Sequence, residues 1–438
     1  MDNFYKLMKV RRGEVAALGW AFGYFFCVLS SYYILRPIRD EMGIQGGVEN
    51  LQWLFTATFL VMLVAVPLFG AAVARIPRDR LIPVVYAFFI AAIFLFFVLL
   101  RLQLGMTWVA RAFFVWISVF NLFIVSVFWS FMVDIFSNEQ AKRLFGVIAA
   151  GGSAGAIAGP ALTVAVIGWV GLANLLLVSM ALLCAALVCV ARLAAWRGRG
   201  ADAANRSRAA HNAAPIGGGP LAGLAHVLRV PYLRGIAVYI VLYTAVATVL
   251  YFTQAQLVRD AFAGPEQRTT FFAGIDLIVN VMTVLIQLLV TGRIISRLGI
   301  AAALMALPIS MVVGLVILGG SPVLGVLALV QVVRRVANYA LARPAREVLY
   351  TVVTPEDKYK TKNVTDTLVY RGGDALSAWL YTGLAAVGLG IGSIVLVALP
   401  IAFAWTMTGW WLARRHDTLA GESVRDVDRP VESDDRDP

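Results

Sequence analysis

The stretch SSYYILRPIRDEM, residues 30–42, places Arg36, Arg39, Asp40 and Glu41 at the end of a long apolar run. Similar intrusions recur along the chain. Arg334 and Arg335 interrupt LALVQVVRRVAN, with Asn338 one helical turn after Arg334. Asp276, Asn280, Thr283 and Gln287 fall at helical spacing, so they share one face. Arg371 and Asp374 lie three apart in YRGGDALSA, and Asp134 closes the run FWSFMVD. Charges among apolar residues are expensive in lipid and face a cavity or one another. A guanidinium is a planar fork that grips two oxygens of a phosphate or carboxylate at once. Arg36, Arg39, Arg334, Arg335 and Arg371 outnumber the deeper acids Asp276 and Asp374, with Asp134 and Asp366 nearer the rim. The chemistry predicted is therefore binding of a solute with several negative charges. The competing expectation is internal neutralisation, with Arg371 paired to Asp374 or Asp276, and Arg334 to Asp366. Arg111 reads as an interfacial anchor.

The elements that carry these groups are membrane helices. The 438 residues are 60% hydrophobic and 14% charged, with a mean hydropathy of +0.81, against about half apolar and a quarter charged in soluble domains. The apolar runs are continuous and near the ~20 residues a spanning helix needs, not the short alternating segments of a barrel. Twelve spans are expected, near 14–35, 51–74, 81–100, 106–133, 145–167, 171–191, 235–258, 270–292, 299–319, 323–342, 364–387 and 391–413. In that frame Arg334 lies roughly 18 Å into its span, past the middle of the hydrocarbon. The first span is expected to be retained, not cleaved as a signal. Loops on the N-terminal side carry most of the Lys and Arg, including Arg75, Lys142, Arg143, Arg293, Arg343 and Lys358. The positive-inside rule then places both termini in the cytoplasm, in a bacterial inner (plasma) membrane. The division expected is an N-terminal six-helix half, 1–193; a cytoplasmic linker, 194–230; a C-terminal half, 231–414; and a disordered tail, 415–438. The basic linker is expected to sit beside anionic lipid and not to bind nucleic acid.

The halves resemble each other at a spacing of about 220 residues. Arg39-Asp40 falls opposite Arg259-Asp260, SNEQAKR opposite TPEDKYK, and Gly151-Gly152 opposite Gly372-Gly373. Ser137 with Gln140, and Thr354 with Pro355 and Asp357, are helix-start signals. Parallel repeats of this kind describe an all-α, major facilitator-like fold, with substrate held between the halves. Gly151, Gly155 and Gly159 at four-residue spacing predict a close helix contact. Cys27, Cys184 and Cys189 all fall in apolar runs and read as small core residues. No HExxH, GxSxG or P-loop motif is present, so neither an enzyme nor a cofactor or metal site is expected.

YYILRPIRD, FWSFMVDIFSNEQAKRLFG and LARPAREVLYTVVTPEDKYKTKNVTDTLVYRGGDALSAWLY resemble the ATP/ADP antiporter family, nucleotide carriers of the major facilitator type, in a distant compact branch. The resemblance implies that Arg39 is a basic substrate residue after the first span and that Asp134 is an acidic one ending the fourth. It sets Arg371 near a lysine that precedes the paired glycines. The seventh span departs from the pattern: members carry a Glu and a Lys there, and this chain reads VLYFTQAQ, with Gln254 near the lysine's place. The function expected is alternating-access transport of an anionic, phosphorylated solute, with ATP/ADP-type exchange foremost. The partners expected are that small anion and the lipid bilayer. The alternatives are a proton-coupled facilitator for another metabolite, peptide or drug, and a non-transporting membrane scaffold or sensor.

Overall fold

A computed structural model describes residues 11–75, 78–200 and 227–427. Most of the expected linker and the end of the tail lie outside the described residues. The first helices are α1 (Val15–Gln45), α2 (Leu51–Arg75), α3 (Arg78–Leu102) and α4 (Met106–Ile135). The run Asn138–Gly200 is broken at Gly171, whose φ of 75° and ψ of 165° leave the helical region. It therefore divides into α5 (138–170) and α6 (172–200). In the C-terminal half, α7 is Pro231–Ala261. Then α8 begins as Pro265–Ile286, passes through a π turn at Gln287–Thr291, and stops at Gly299, where φ is 79°. It is followed by α9 (300–320). The tenth helix, α10, joins Leu324–Ala337, a π turn at Asn338–Ala342 and Arg343–Leu349. Likewise α11 joins Pro355–Val364, a π turn at Thr365–Val369 and Tyr370–Ala386. Finally α12 comprises Ile391–Val397 and Leu399–Val427. Its last turns run past the expected start of the tail at 415, because Ala, Leu and Glu in TLAGESV favour helix over disorder.

Nine helical segments among the described residues are long and apolar enough to cross a membrane. Two of these, Asn138–Arg197 and Pro265–Gly320, are of double length. Each folds back on itself at its glycine. Ser30 Oγ donates to the Gly155 carbonyl at 3.3 Å, and the adjacent Ser31 hydroxyl lies 2.7 Å from that of Ser179. A straight helix would hold residues 155 and 179 about 36 Å apart. By the same reasoning, Asp276 meets Arg335 while Gly314 packs on Val330, which requires the reversal at Gly299. The segment Pro355–Ala386 is not among the nine; its first half carries charged and polar residues.

Two apolar cores organise these helices. One is built from α1 and α3–α6, the other from α7–α12. The far end of α1 and the start of α2 (Ile44, Val48, Leu51, Leu54) join the second core with Phe114. The two groups therefore meet at the face opposite the start of α1. Cys189 is buried, whereas Cys184 is exposed, so the reading of every cysteine as core is corrected; Cys184 projects from the outer side of α6.

The glycine ladder does what its spacing predicts. A Cβ on Gly151 would meet the Phe22 carbonyl at 2.5 Å, one on Gly155 the Phe26 carbonyl, and one on Gly159 the Ser30 carbonyl at 2.7 Å. Helix α5 thus lies against the backbone of α1 over three turns. The second half repeats the arrangement: Gly152 faces Phe25 of α1, and Gly373 faces Thr244 of α7. Gly155→Leu is expected to destabilise the protein by at least about 1–3 kcal/mol, because backbone cannot yield as a side-chain tip can. A lowered melting temperature in detergent would register it; an unchanged one would mean that the helices part at no cost.

The helix-start signals are also present. Ser137 Oγ accepts from the Gln140 N–H at 3.3 Å while Gln140 Oε1 accepts from the Ser137 N–H at 3.0 Å. Thr354 Oγ1 accepts from the Asp357 N–H at 3.2 Å. Arg111 is more than an interfacial anchor. Its Nε donates to the Gly46 carbonyl at 2.9 Å, and its guanidinium lies over Trp108, so it closes the C-terminal end of α1.

Candidate functional site

A cavity of about 760 Å³ lies between the two helical groups. Helix α1 contributes one wall from Phe25 to Arg39, facing α7, α8, α10 and α11. Pro37 sits among these residues; it has no N–H to donate, so the Tyr33 carbonyl loses its helical partner beside the arginines. The opposite wall is shaped by irregular helix. Gln287 Nε2 on one π turn donates to the Tyr339 carbonyl on the next at 3.1 Å, and Thr291 Oγ1 donates to the Ala340 carbonyl at 2.8 Å. The third π turn ends just before Tyr370 and Arg371. Such turns add a residue to the helical circuit and re-aim the side chains beyond it, and they occur often at functional positions.

Arg36, Arg39, Arg334, Arg335 and Arg371 all line this cavity, as does Asp374. Arg39 lies 2.6 Å from Asp40 and over the rings of Phe114 and Tyr251, while the Tyr251 hydroxyl donates to Asp40 at 3.1 Å. Arg371 lies 3.8 Å from Asp374, one of its two expected partners. Asp276 is 1% exposed and lies behind the wall. It is 2.5 Å from Arg335 of α10 and 3.6 Å from Arg36 of α1, so one carboxylate joins cations from both groups. Asn280, Thr283 and Gln287 continue its stripe onto the wall. Asp134, on the last turn of α4, is not among the lining residues. The expected pairing of Arg334 with Asp366 is corrected. Asp366 lies 4.0 Å from Arg346, which is three turns nearer the end of α10. Arg334 turns inward instead, toward Gln331 and Tyr243.

Arg343 falls just past the expected span 323–342, yet it lines the cavity, because α10 continues through its π turn as far as Leu349. Tyr32, Tyr33, Tyr243, Tyr251, Tyr339 and Tyr370 also line it and were not singled out. Their aromatic faces suit a flat ring or a guanidinium. The helical spacing of Tyr32 and Tyr33 beside Arg36 was the available signal.

Beyond Arg39 the cavity is closed. Arg268 at the start of α8 grips Glu41 of α1 through Nε at 2.7 Å and Nη2 at 2.8 Å. Trp379 of α11 donates to Thr56 of α2 at 3.0 Å and packs edge-on against Trp53. The cavity instead extends toward the face where α1 begins, past Phe25, Ala149 and Arg343.

Two membrane-embedded helical groups around a polar chamber, sealed at one face, constitute a membrane transporter. The Major Facilitator Superfamily profile matches residues 15–361, and the chain belongs to that family. Its fold is similar to that of a POT family transporter solved with a thioalcohol-conjugated peptide, with a TM-score of 0.64 at 11% identity over 91% of this chain and 96% of that one. It is also similar to that of the nucleoside transporter NupG, with a TM-score of 0.60 at 13% identity, covering 96% and 100%. In sequence, 232 residues are 23% identical to ADP,ATP carrier protein 2 of Chlamydia pneumoniae. That match covers 47% of this chain and 43% of the carrier, so the chain spans less than half the length of this curated relative.

Proposed function

We propose that the protein carries an anionic, phosphorylated solute by alternating access, and that it exchanges nucleotides of the ATP/ADP type. The observation that carries this reading is the makeup of the wall: among the described residues, six arginines line the cavity with Asp374 as the acid among them. Phosphate oxygens accept from guanidinium forks, and the lining tyrosines supply faces for a base. Similarity to an ADP,ATP carrier supports the same substrate class. On the reading that the Lys/Arg asymmetry makes the N-terminal face cytoplasmic, this conformer would be open inward, with Glu41–Arg268 and Trp53–Trp379 closing the outer side. Exchange is a consequence of charge. An empty, cation-rich chamber resists enclosure in low dielectric, and a bound anion removes that cost. Rocking of the two groups then presents the site to either side.

The test is uptake of labelled ADP by vesicles containing purified protein and loaded with ATP, ADP or buffer. Uptake that requires internal nucleotide supports the proposal. A second reading rests on Asp374, an acid on the cavity wall that can carry a proton. Uptake stopped by a protonophore and indifferent to internal nucleotide would favour that reading. Absence of nucleotide movement in either assay would overturn the nucleotide assignment.

A further inference from the structure

Arg334 is held differently from Arg39, Arg335 and Arg371. Arg39, Arg335 and Arg371 each lie within ion-pair distance of a carboxylate, from Asp40, Asp276 and Asp374 respectively. The guanidinium of Arg334 is gripped by an amide. Its Nε and Nη2 donate to Gln331 Oε1 at 3.0 and 2.9 Å, and its Nη1 donates to the Tyr243 hydroxyl at 3.3 Å. Gln331 sits one helical turn before Arg334, on the same face of α10. It is 1% exposed and does not itself line the cavity. Its amide is in turn oriented from α7: Nε2 donates to the Leu250 carbonyl at 3.2 Å and to Gln254 Oε1. With both amide hydrogens directed to α7, the oxygen faces the arginine.

We propose that Gln331 is a charge-sparing positioning residue for the transported anion, with Gln254 as its support. A carboxylate in the same place would pair with the guanidinium and cancel its charge, while giving up the bonds that the amide donates to α7. The amide fixes it with two hydrogen bonds and leaves the charge for the ligand. This also gives Gln254, which falls near the place of a lysine in the nucleotide carriers the chain resembles, a role behind the wall. The inference rests on the anionic-substrate reading above and adds the group that sets the strength of its charge selection.

The experiment measures binding of inorganic phosphate, pyrophosphate and tripolyphosphate to the purified full chain by calorimetry at two salt concentrations. The wild-type, Gln331→Glu and Gln331→Met proteins are compared, with melting temperature as a check of folding. Wild-type affinity is expected to rise from phosphate to tripolyphosphate. Gln331→Glu keeps the size, adds a counter-charge and gives up the two bonds donated to α7; it is expected to weaken tripolyphosphate binding about tenfold and to flatten both the series and the salt dependence. Gln331→Met removes the grip without adding charge. It is expected to weaken tripolyphosphate by a smaller factor while the salt dependence stays near wild type. A merely structural residue would not alter the charge series. A folded Gln331→Glu protein with the wild-type series overturns the proposal. If that variant does not fold, undiminished tripolyphosphate binding by Gln331→Met overturns it. A wild-type protein indifferent to phosphate number overturns the anion reading itself, whatever the variants do.

Discussion

Arg39→Ala and Arg371→Ala are each expected to reduce vesicle uptake by about a hundredfold or more while the protein remains folded in the membrane. Both side chains line the cavity from opposite groups, Arg39 on α1 and Arg371 on α11. A ligand that bridges them engages both walls and so couples binding to the motion of the groups. Arg39 also stacks on Phe114 and Tyr251, which fixes its plane before a ligand arrives. Arg39→Lys is therefore expected to restore only part of the activity, because an ammonium keeps the charge but loses the fork and the stacking. Uptake of labelled ADP, normalised to protein in the vesicles, measures each loss. Wild-type rates in both alanine variants would remove these arginines from the proposed substrate site.

Asp276→Ala is expected to act on stability, with a cost of roughly 3–5 kcal/mol. The carboxylate is buried between Arg36 and Arg335. Removing it leaves two mostly buried guanidiniums of like charge at short range. The site is already short of hydrogen bonds: Asp276 Oδ2 and Arg335 Nε have no hydrogen-bond partner among the described residues. The paired substitution Asp276→Ala with Arg335→Met is expected to recover much of the loss, since it removes one of the opposed cations together with the acid. Thermal unfolding of the single and paired variants in one detergent gives the comparison. A single variant that melts with wild type would mean that the carboxylate does not hold the groups together.

The membrane fold was legible because apolar length is written directly into the chain, and helix-start signals such as Ser137–Gln140 require only neighbouring residues. Helix interruptions were less visible. The π turns at Gln287–Thr291 and Asn338–Ala342 stabilise each other through bonds between helices, and no residue type within either turn announces that partner. For this reason the sequence pattern puts Arg343 in a loop although it lines the cavity. Charge placement was legible from the cost of burying arginine in lipid. Pairing was not, because Arg334 had acids within plausible reach and took Gln331 instead. Arg268 precedes the expected span 270–292, and only the approach of α8 to α1 shows it holding Glu41.

The grip of Arg268 on Glu41 is lopsided. The guanidinium also donates to the Phe262 and Ala263 carbonyls at 3.0 and 3.2 Å, within its own side of the seam. If the groups part as proposed, the cation stays tethered to the turn between α7 and α8, while Glu41, at 0% exposure, loses its ionic partner. Unlatching therefore falls mainly on one carboxylate, and the earliest water to breach the seam has its strongest reason to enter beside that acid. On closure the tethered arginine is already aimed, so relocking need not wait for a long side chain to search.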